Sequence, residues 1–485
     1  MASTDQSAVP GTPAALAPGT GRNSVLYLVG ALMQGLGVFL VQPFVLHLLN
    51  SDSEWQELFL SVSIIQVGVV LAAAGLPLAI TKVWFEPAGP ARARAVSGFM
   101  TIGGAVLGIV AAGIAWAFTR GDGGSPSFTI ALFAMGLQSS VLAGQAILRA
   151  QGRPVAFVML SLVSSMAAYG GGLLAILLFG AEASIFMLGY GVLVLIGAIA
   201  AVVITKPSWP LAHRGAVGES LAIGLPVLPH TGALMLLTQG AVFLLAVTAA
   251  DGVSGDYGKV QIFVLGTITL LGALNNAWVP ALLAVSGAER VQRLRSTMRT
   301  ASFAALGIVI VASAGANVVT HVMAGGKESL IPVAQIMPLI AMGYVLYLNA
   351  TTLLFAENAT WWLSVVTPGV LVLGALAALV PAFAGNLVGM AVTSALTFLV
   401  LGLAYYLIVR RRAAGGWELR TYAACCASAV VYVGVLLVLP RDVSTGVFTV
   451  VIVGVLLIVA AAVWRIRSRR RSMGATNLES EPTNG

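Results

Sequence analysis

Charge is what this sequence has least of. Lys, Arg, Asp and Glu make up 9% of its 485 residues, where a soluble domain carries roughly 25%. Acids are the scarcer sign, 17 against 25 basic residues, for a formal net charge of +8. No acid falls near the middle of an apolar run; Glu219 and Glu357 only flank such runs. This argues against a membrane-embedded carboxylate acting as a proton or sodium site. Cysteine is equally sparse. Cys425 and Cys426 are adjacent, so they cannot clip a loop, and they lack metal-ligand spacing. The segment Gly325-Gly326-Lys327-Glu328 lacks the upstream glycine and the Ser/Thr of a Walker A phosphate cradle, so no ATP hydrolysis is expected. Polar connections reach only about 20 residues, leaving no room for an inserted catalytic domain. A non-enzyme without cofactor or metal is the expectation.

What is present is apolar surface. The hydrophobic fraction is 59% and the mean hydropathy +0.97. A helix needs about 20 mostly apolar residues to cross a hydrocarbon core about 30 Å thick, and such runs follow one another almost end to end. Their approximate limits are 24–49, 57–81, 96–119, 127–148, 155–179, 184–205, 219–249, 257–283, 300–322, 331–355, 361–383, 386–409, 421–439 and 444–464. An all-α polytopic membrane protein of about fourteen spans is predicted. Residues 1–22 and 474–485 read as disordered cytoplasmic tails, without the charged start and short apolar stretch of a cleaved signal peptide.

Basic residues in loops resist translocation. With the N-terminus inside, the cytoplasmic segments hold 21 of the 25 Lys and Arg, and the outer side keeps only Arg120, Lys259, Lys327 and Arg441. One missed helix would scramble so uneven a split. Both termini are therefore predicted to be cytoplasmic; the high Arg:Lys ratio with abundant Ala, Gly and Val points to a GC-rich bacterial genome, and a bacterial cytoplasmic (inner) membrane is the expected location. Short membrane-face loops, without aromatic interleaving, account for the positive charge by topology and anionic lipid, not nucleic acid.

Gly30-Ala31-Leu32-Met33 in span 1 recurs as Gly232-Ala233-Leu234-Met235 in span 7, and Val38-Phe39-Leu40 as Val242-Phe243-Leu244. A repeat after six spans keeps its orientation in the bilayer. It predicts two parallel six-helix lobes, 23–215 and 216–409, with spans 13 and 14 in an appended 410–473. Such lobes enclose a central cavity that opens alternately to either side. Pro43 in span 1, and Gly224, Pro226 and Pro229 followed by His230 in span 7, are hinge and gating candidates. Ordinary helix packing is the plainer reading of the same residues.

Gly75-Leu76-Pro77-Leu78-Ala79-Ile80-Thr81-Lys82 resembles the Gly-Leu-Pro…Arg/Lys segment of polysaccharide and lipid-linked oligosaccharide flippases. Leu148-Arg149-Ala150-Gln151-Gly152-Arg153 is similar to their basic turn, and Gly255-Asp256-Tyr257-Gly258 to their Gly-Tyr-Tyr turn. Span 7 opens with Gly224-Leu225-Pro226, and Trp278-Val279-Pro280-Ala281-Leu282 ends span 8 where that family commonly has a proline. Over about residues 24–410 the chain thus resembles the Wzx-like branch of the multidrug/oligosaccharidyl-lipid/polysaccharide exporter superfamily. The resemblance implies flipping of an undecaprenyl-diphosphate-linked saccharide to the outer leaflet, with membrane lipids and polysaccharide-assembly proteins as partners. An ion-coupled drug or small-molecule antiporter of the same fold is the alternative, and a membrane-embedded saccharide polymerase or ligase the alternative of another class.

A diphosphate crossing apolar surroundings needs cations and hydrogen-bond donors along its path. Lys82 and Arg149 lie at cytoplasmic span ends, where they also serve as topology anchors. Lys259 sits at the outer end of span 8, where a snorkelling lysine paired with Asp256 is the plainer reading. Uncharged candidates are Gln34, Gln42 and Gln66 in the first two spans, Gln145 in span 4, Gln239 in span 7, Gln261, Asn275 and Asn276 in span 8, and Asn349 in span 10. Gln261 and Asn275, about 40° short of four full turns apart, share a helix face. Helix-to-helix hydrogen bonding is the competing use of each amide.

Overall fold

The computed structural model describes residues Gly30, Gly37, 40–49, 51–119, 125–283, 285–357, 359–456 and 458, without the side chains of 276, 277, 280 and 281. Gln34, most of the Gly30–Met33 and Val38–Leu40 repeat segments, and the Asn276 side chain thus lie outside the described residues. The helices follow the apolar runs: α1 (40–48), α2 (Asp52–Ala73, continued by Leu76–Val83), α3 (Gly89–Thr119), α4 (Ser127–Ala150), α5 (Pro154–Phe179), α6 (Ala183–Thr205) and α7 (Ala216–Thr248). Then come α8 (Val253–Val260 and Ile262–Leu283), α9 (Gly287–Met323), α10 (Glu328–Ala356), α11 (Trp361–Phe383), α12 (Leu387–Val409), α13 (Leu419–Val438) and α14 (Val443–Leu456). Twelve are long and apolar enough to cross a membrane, and α14 is a shorter apolar helix. With α1 this agrees with about fourteen spans. The faces are called outer and cytoplasmic below after the split of basic charge.

Local chemistry sets several helix ends. Ser51 caps α2 by accepting the Glu54 N–H, and Asp52 and Glu54 stand in its first turn, where negative charge meets the positive end of the helix dipole. Asp442 caps α14 in the same manner, accepting from the Thr445 N–H and hydroxyl. These bonds, with one from Ser444, hold its carboxyl well below the usual range. α3 and α9 begin earlier than the apolar runs predict, at Gly89 and Gly287. Their N-terminal segments carry Arg92 and Arg94, and, over about three turns, Arg290, Arg293, Arg295 and Arg299, so these helices extend beyond the hydrocarbon on the side where arginine is solvated.

Pairings in the first half recur six helices later. α4 packs on α2, α3 and α6 as α10 packs on α8, α9 and α12. α6 packs on α5 as α12 packs on α11, and α7 lies along α11. Ahead of α1, Gly30 abuts Phe157, and Gly37 abuts Met166 and Tyr169, all in α5. This is the pattern of two parallel six-helix lobes. Close packing follows small residues: a Cβ on Gly136 of α4 would sit 2.7 Å from Gly108 Cα in α3. α13 packs on α9, and Asn317 Nδ2 of α9 donates to the Pro440 and Asp442 carbonyls between α13 and α14, so among the described residues the last two helices lean on the second lobe. α10 is the most enclosed span, 89% of its most apolar window being buried. Outward-facing Ile109, Phe118, Val372, Val380 and Val438 are exposed, as lipid-facing side chains should be.

Candidate functional site

The lobes meet along α1 and α2 on one side and α7 and α8 on the other, and in the outer half of this seam polar side chains bridge them. Gln42 Nε2 of α1 donates to the Lys259 carbonyl of α8 at 3.1 Å. Trp55 Nε1 of α2 donates to the Gly255 carbonyl at 3.1 Å, and the Gly252 N–H donates to Gln56 Oε1 at 2.6 Å. Deeper, Gln239 of α7 donates to Gln66 of α2, while its Oε1 accepts from Ser63 at 3.3 Å and from Gln261 Nε2 at 2.8 Å. Gln261 also donates to the Thr238 carbonyl at 2.6 Å, which fixes the orientation of its amide. Gln239 and Gln261 are fully buried, so these bonds form in a medium where an unmade one costs about 1–3 kcal/mol.

Above this layer, four charges close the outer face. Lys259 Nζ lies 2.7 Å from Asp52 and 2.9 Å from Asp256; Lys327 Nζ, from the α9–α10 turn, lies 2.8 Å from each. Two cations thus neutralise two anions from α2 and α8. Partial burial alone would lower the Lys327 pKa, but the hydrogen bonds and charges of Asp256 and Asp52 outweigh it and hold the ammonium above its usual value. The Lys259 side chain is 5% exposed and Asp52 57%, so the lysine is locked in place while its partner still meets water.

Below the closure lies a cavity of about 240 Å³ lined by polar and aromatic side chains, among them Gln66, Gln138, Gln145, Ser164, Ser165 and Tyr169. Leu265 and Thr269 of α8 form its wall on the second lobe. A π-helical stretch, Leu162–Ala167, interrupts α5 and presents Ser164 and Ser165 there. Gln138 Nε2 donates to the Ser164 carbonyl at 3.2 Å, and Gln145 Nε2 to Ser161 Oγ at 3.1 Å. Acids and bases are absent from the lining residues.

At the cytoplasmic end the lobes touch through backbone. A Cβ on Gly224 of α7 would stand 2.5 Å from the Ala74 carbonyl oxygen, at the break between the two parts of α2. Gly75 there has φ +70°, open to glycine at no steric cost. Arg92 of α3 bonds Glu86 and reaches across to Glu219 of α7.

The structure therefore gathers Gln42, Gln66, Gln239, Gln261 and Lys259 at the seam, with Gln145 on the cavity wall. Lys259 has both predicted features at once, a pair with Asp256 and a place between the lobes. Lys82 and Arg149 are exposed at cytoplasmic helix ends, Arg149 lying over the Phe157 ring at 5.4 Å. Asn275 is half-buried farther down α8, and buried Asn349 donates to the Val345 carbonyl of its own helix. Pro43 accepts at its carbonyl from His47 Nδ1. Pro226 lies within, and Pro229 just after, a 3-10 turn, Leu225–Val227, that splits α7, and buried His230 faces α10 and α11. Sequence reasoning missed Asp52, Trp55, Lys327, Tyr169 and Tyr190. The aspartate and Lys327 are loop-edge charges, and the aromatics look like ordinary span residues until the lobes are assembled. Among the described residues, no group of three or more His, Cys, Asp or Glu is placed to hold a metal ion.

The arrangement is of two helical lobes meeting along a polar seam, and comparison with solved structures finds the same fold. The fold is similar to that of solved MATE family transporters of the MOP superfamily. An inward-facing multidrug resistance MATE transporter superposes with a TM-score of 0.62 at 14% identity, covering 81% of this chain and 98% of the other. A MATE transporter in complex with MaL6 gives 0.58 at 16% identity, over 82% and 96%. A MOP superfamily transporter from Pyrococcus furiosus, whose binding pocket is described as of reverse polarity, gives 0.52 at 16% identity, over 82% and 96%. No protein-family model and no curated protein sequence matches the chain.

Proposed function

We propose that this chain is an alternating-access transporter of small organic solutes, working by rocking its two lobes about the seam of α1, α2, α7 and α8. The observation that carries the reading is a closure in which ion pairs and amide hydrogen bonds join the lobes, beside the Phe59 ring packed on Gly258, above a neutral polar cavity. Inward- and outward-facing multidrug MATE structures both share the fold, which supports the two end states. The small-molecule antiporter is favoured over the lipid-diphosphate flippase on two grounds. The cavity of about 240 Å³ lies just below the roughly 300–1,000 Å³ usual for small-ligand sites, well short of a diphosphate-linked oligosaccharide. Its walls also carry no cation for a diphosphate, and Lys259 and Lys327 are already neutralised by Asp52 and Asp256.

One feature favours the flippase as a second reading: α13 and α14 stand outside the two six-helix lobes, and the superposed MATE chains are covered almost completely while about a fifth of this one is left over. Both readings place the protein in a bacterial cytoplasmic membrane with its termini inside, supported by the split of basic residues. The test is counterflow in reconstituted vesicles with two probes, ethidium as a flat organic cation and a labelled undecaprenyl-diphosphate saccharide. Protein-dependent exchange of ethidium with no movement of the lipid supports the antiporter; the converse supports the flippase. Movement of neither above protein-free vesicles overturns both.

A further inference from the structure

A single linker, residues 206–215, joins the two lobes on the cytoplasmic side, between α6 and α7. Its path is fixed at the start. Lys206 turns the chain at φ +50°, and the Ser208 N–H donates to the Arg94 carbonyl of α3 at 3.1 Å. The Ser208 carbonyl oxygen lies on Gly98 of α3, where a Cβ would strike it. A short 3-10 turn, Pro210–Ala212, follows, and Gly215 at φ +84° leads into α7. The linker is thus pinned to the first lobe and meets the second through a glycine.

The docking point sets its depth. Arg94 is the last charge of α3 before the apolar run that starts at about Val96. The linker therefore crosses α3 where that helix passes from water into hydrocarbon. Ser208 also comes only three positions after Thr205, the last residue of the membrane-spanning α6. Both relations put the linker backbone at the level of the lipid headgroups.

Its side chains suit that level. Trp209 is 65% exposed and Leu211 75%, and they continue the lipid-facing strip of α6, where Ile199, Val203 and Ile204 are exposed. Left in water, both forgo the gain from burying apolar area. An indole, apolar in its ring and polar at its N–H, is enriched at the membrane–water boundary. Three cations accompany them, Lys206 and Arg214 on the linker and Arg94 at its docking point. None of the three is in an ion pair among the described residues. Glu219, one turn into α7, is already bonded to Arg92. Arg94 Nε is buried without a hydrogen-bond partner, an open donor on a charged group. Positive charge here is uncompensated within the chain, and cytoplasmic leaflets carry anionic headgroups.

We propose that the linker is a membrane-surface anchor: Trp209 and Leu211 seat in the cytoplasmic leaflet of the bilayer the chain spans, and Arg94, Lys206 and Arg214 bind the phosphate of an anionic phospholipid there. The occupant is lipid because the backbone is tied down at a depth that headgroups already fill. Under the transport reading the anchor keeps the first lobe and the linker on the leaflet while the second lobe turns about Gly215. That consequence rests on the transport reading; the anchor does not.

The test uses the full chain in vesicles, with Cys425 and Cys426 replaced by Ala and a bimane fluorophore at Leu211→Cys. The vesicles hold phosphatidylcholine and phosphatidylglycerol in equal parts, and a nitroxide quencher is carried near the headgroup of one lipid or the other. Ala288→Cys is the aqueous reference, for it lies about 16 Å along α9 ahead of Arg299, the last charge before the apolar run of that helix. Nitroxide phosphatidylcholine should quench position 211 at least about threefold more than position 288. Nitroxide phosphatidylglycerol should quench position 211 about fivefold more than the choline lipid does. Arg94→Gln, Lys206→Gln and Arg214→Gln together should make the two lipids equal while position 211 stays in contact with lipid. Quenching at 211 no greater than at 288, as a patch kept for a soluble protein or a second copy would show, overturns the proposal. Equal quenching by the two lipids before any cation is replaced, or an undiminished preference in the folded triple variant, overturns the headgroup site. Should the triple variant fail to fold, an undiminished preference in Lys206→Gln with Arg214→Gln, both exposed, does so. If ethidium and lipid counterflow both fail while position 211 is quenched as expected, the transport reading falls and the anchor stands.

Discussion

Lys259 Nζ on α8 lies 2.7 Å from the carboxylate of Asp52, the first residue of α2, so the outer closure hangs on an ion pair between lobes. Exposed pairs contribute about 0–1 kcal/mol and buried ones much more when broken; this one, with a buried lysine and a half-exposed acid, lies between. Lys259→Met should shift the equilibrium toward an open outer face by about 1 kcal/mol, or about fivefold. Spin labels at Glu182→Cys and Ala384→Cys would show a larger long-distance component. An unchanged distribution would leave the ion cluster without a latching role.

Gln239 holds the deeper layer together, bonding Ser63 and Gln66 of the first lobe and Gln261 of its own. Gln239→Leu removes donor and acceptor at once and takes one bond each from buried Ser63, half-buried Gln66 and buried Gln261, which keeps its bond to Thr238. The expected cost is about 1–3 kcal/mol, read as a lower thermal midpoint, together with opening of the outer seam. Gln239→Glu, which keeps the acceptor for Gln261 and Ser63, should be milder on the first measure than the leucine.

Gly224→Ala tests the cytoplasmic contact. Its φ of −79° accepts any residue, so the effect is steric alone: the new methyl meets the Ala74 carbonyl at 2.5 Å, and backbone cannot swing aside. Spin labels at Arg153→Cys and Arg411→Cys, at the cytoplasmic face of the two lobes, should move toward longer distances. Gly218→Ala, in the same helix with nothing within 4 Å of its Cβ, should leave the distribution as it is.

The helix count and lobes were legible because a span announces itself by length and hydropathy, and because basic loops alternate with bare ones. The early starts of α3 and α9 were not, since arginine-rich turns that continue a helix into water look like loops in a hydropathy reading. Glutamines such as Gln66, Gln239 and Gln261 stood out because polar side chains in apolar runs need a partner. Their partners were illegible, for each bond joins residues far apart in sequence, as Ser63 to Gln239. Tyr169 and Thr367 carried no signal at all; one lines the cavity and the other holds His230 only because helices cross there. The flippase motifs pointed to a fold of this kind, yet none of their residues lines the cavity, which is neutral and small.

The central claim is reciprocal motion of two lobes. It is tested most directly by measuring both label pairs, Glu182/Ala384 at the outer face and Arg153/Arg411 at the cytoplasmic face, in wild type and in Lys259→Met. The account predicts that when the outer distances lengthen the cytoplasmic ones shorten, with the two populations shifting by the same factor. Outer distances that change while the cytoplasmic distribution stays fixed would contradict alternating access about this seam.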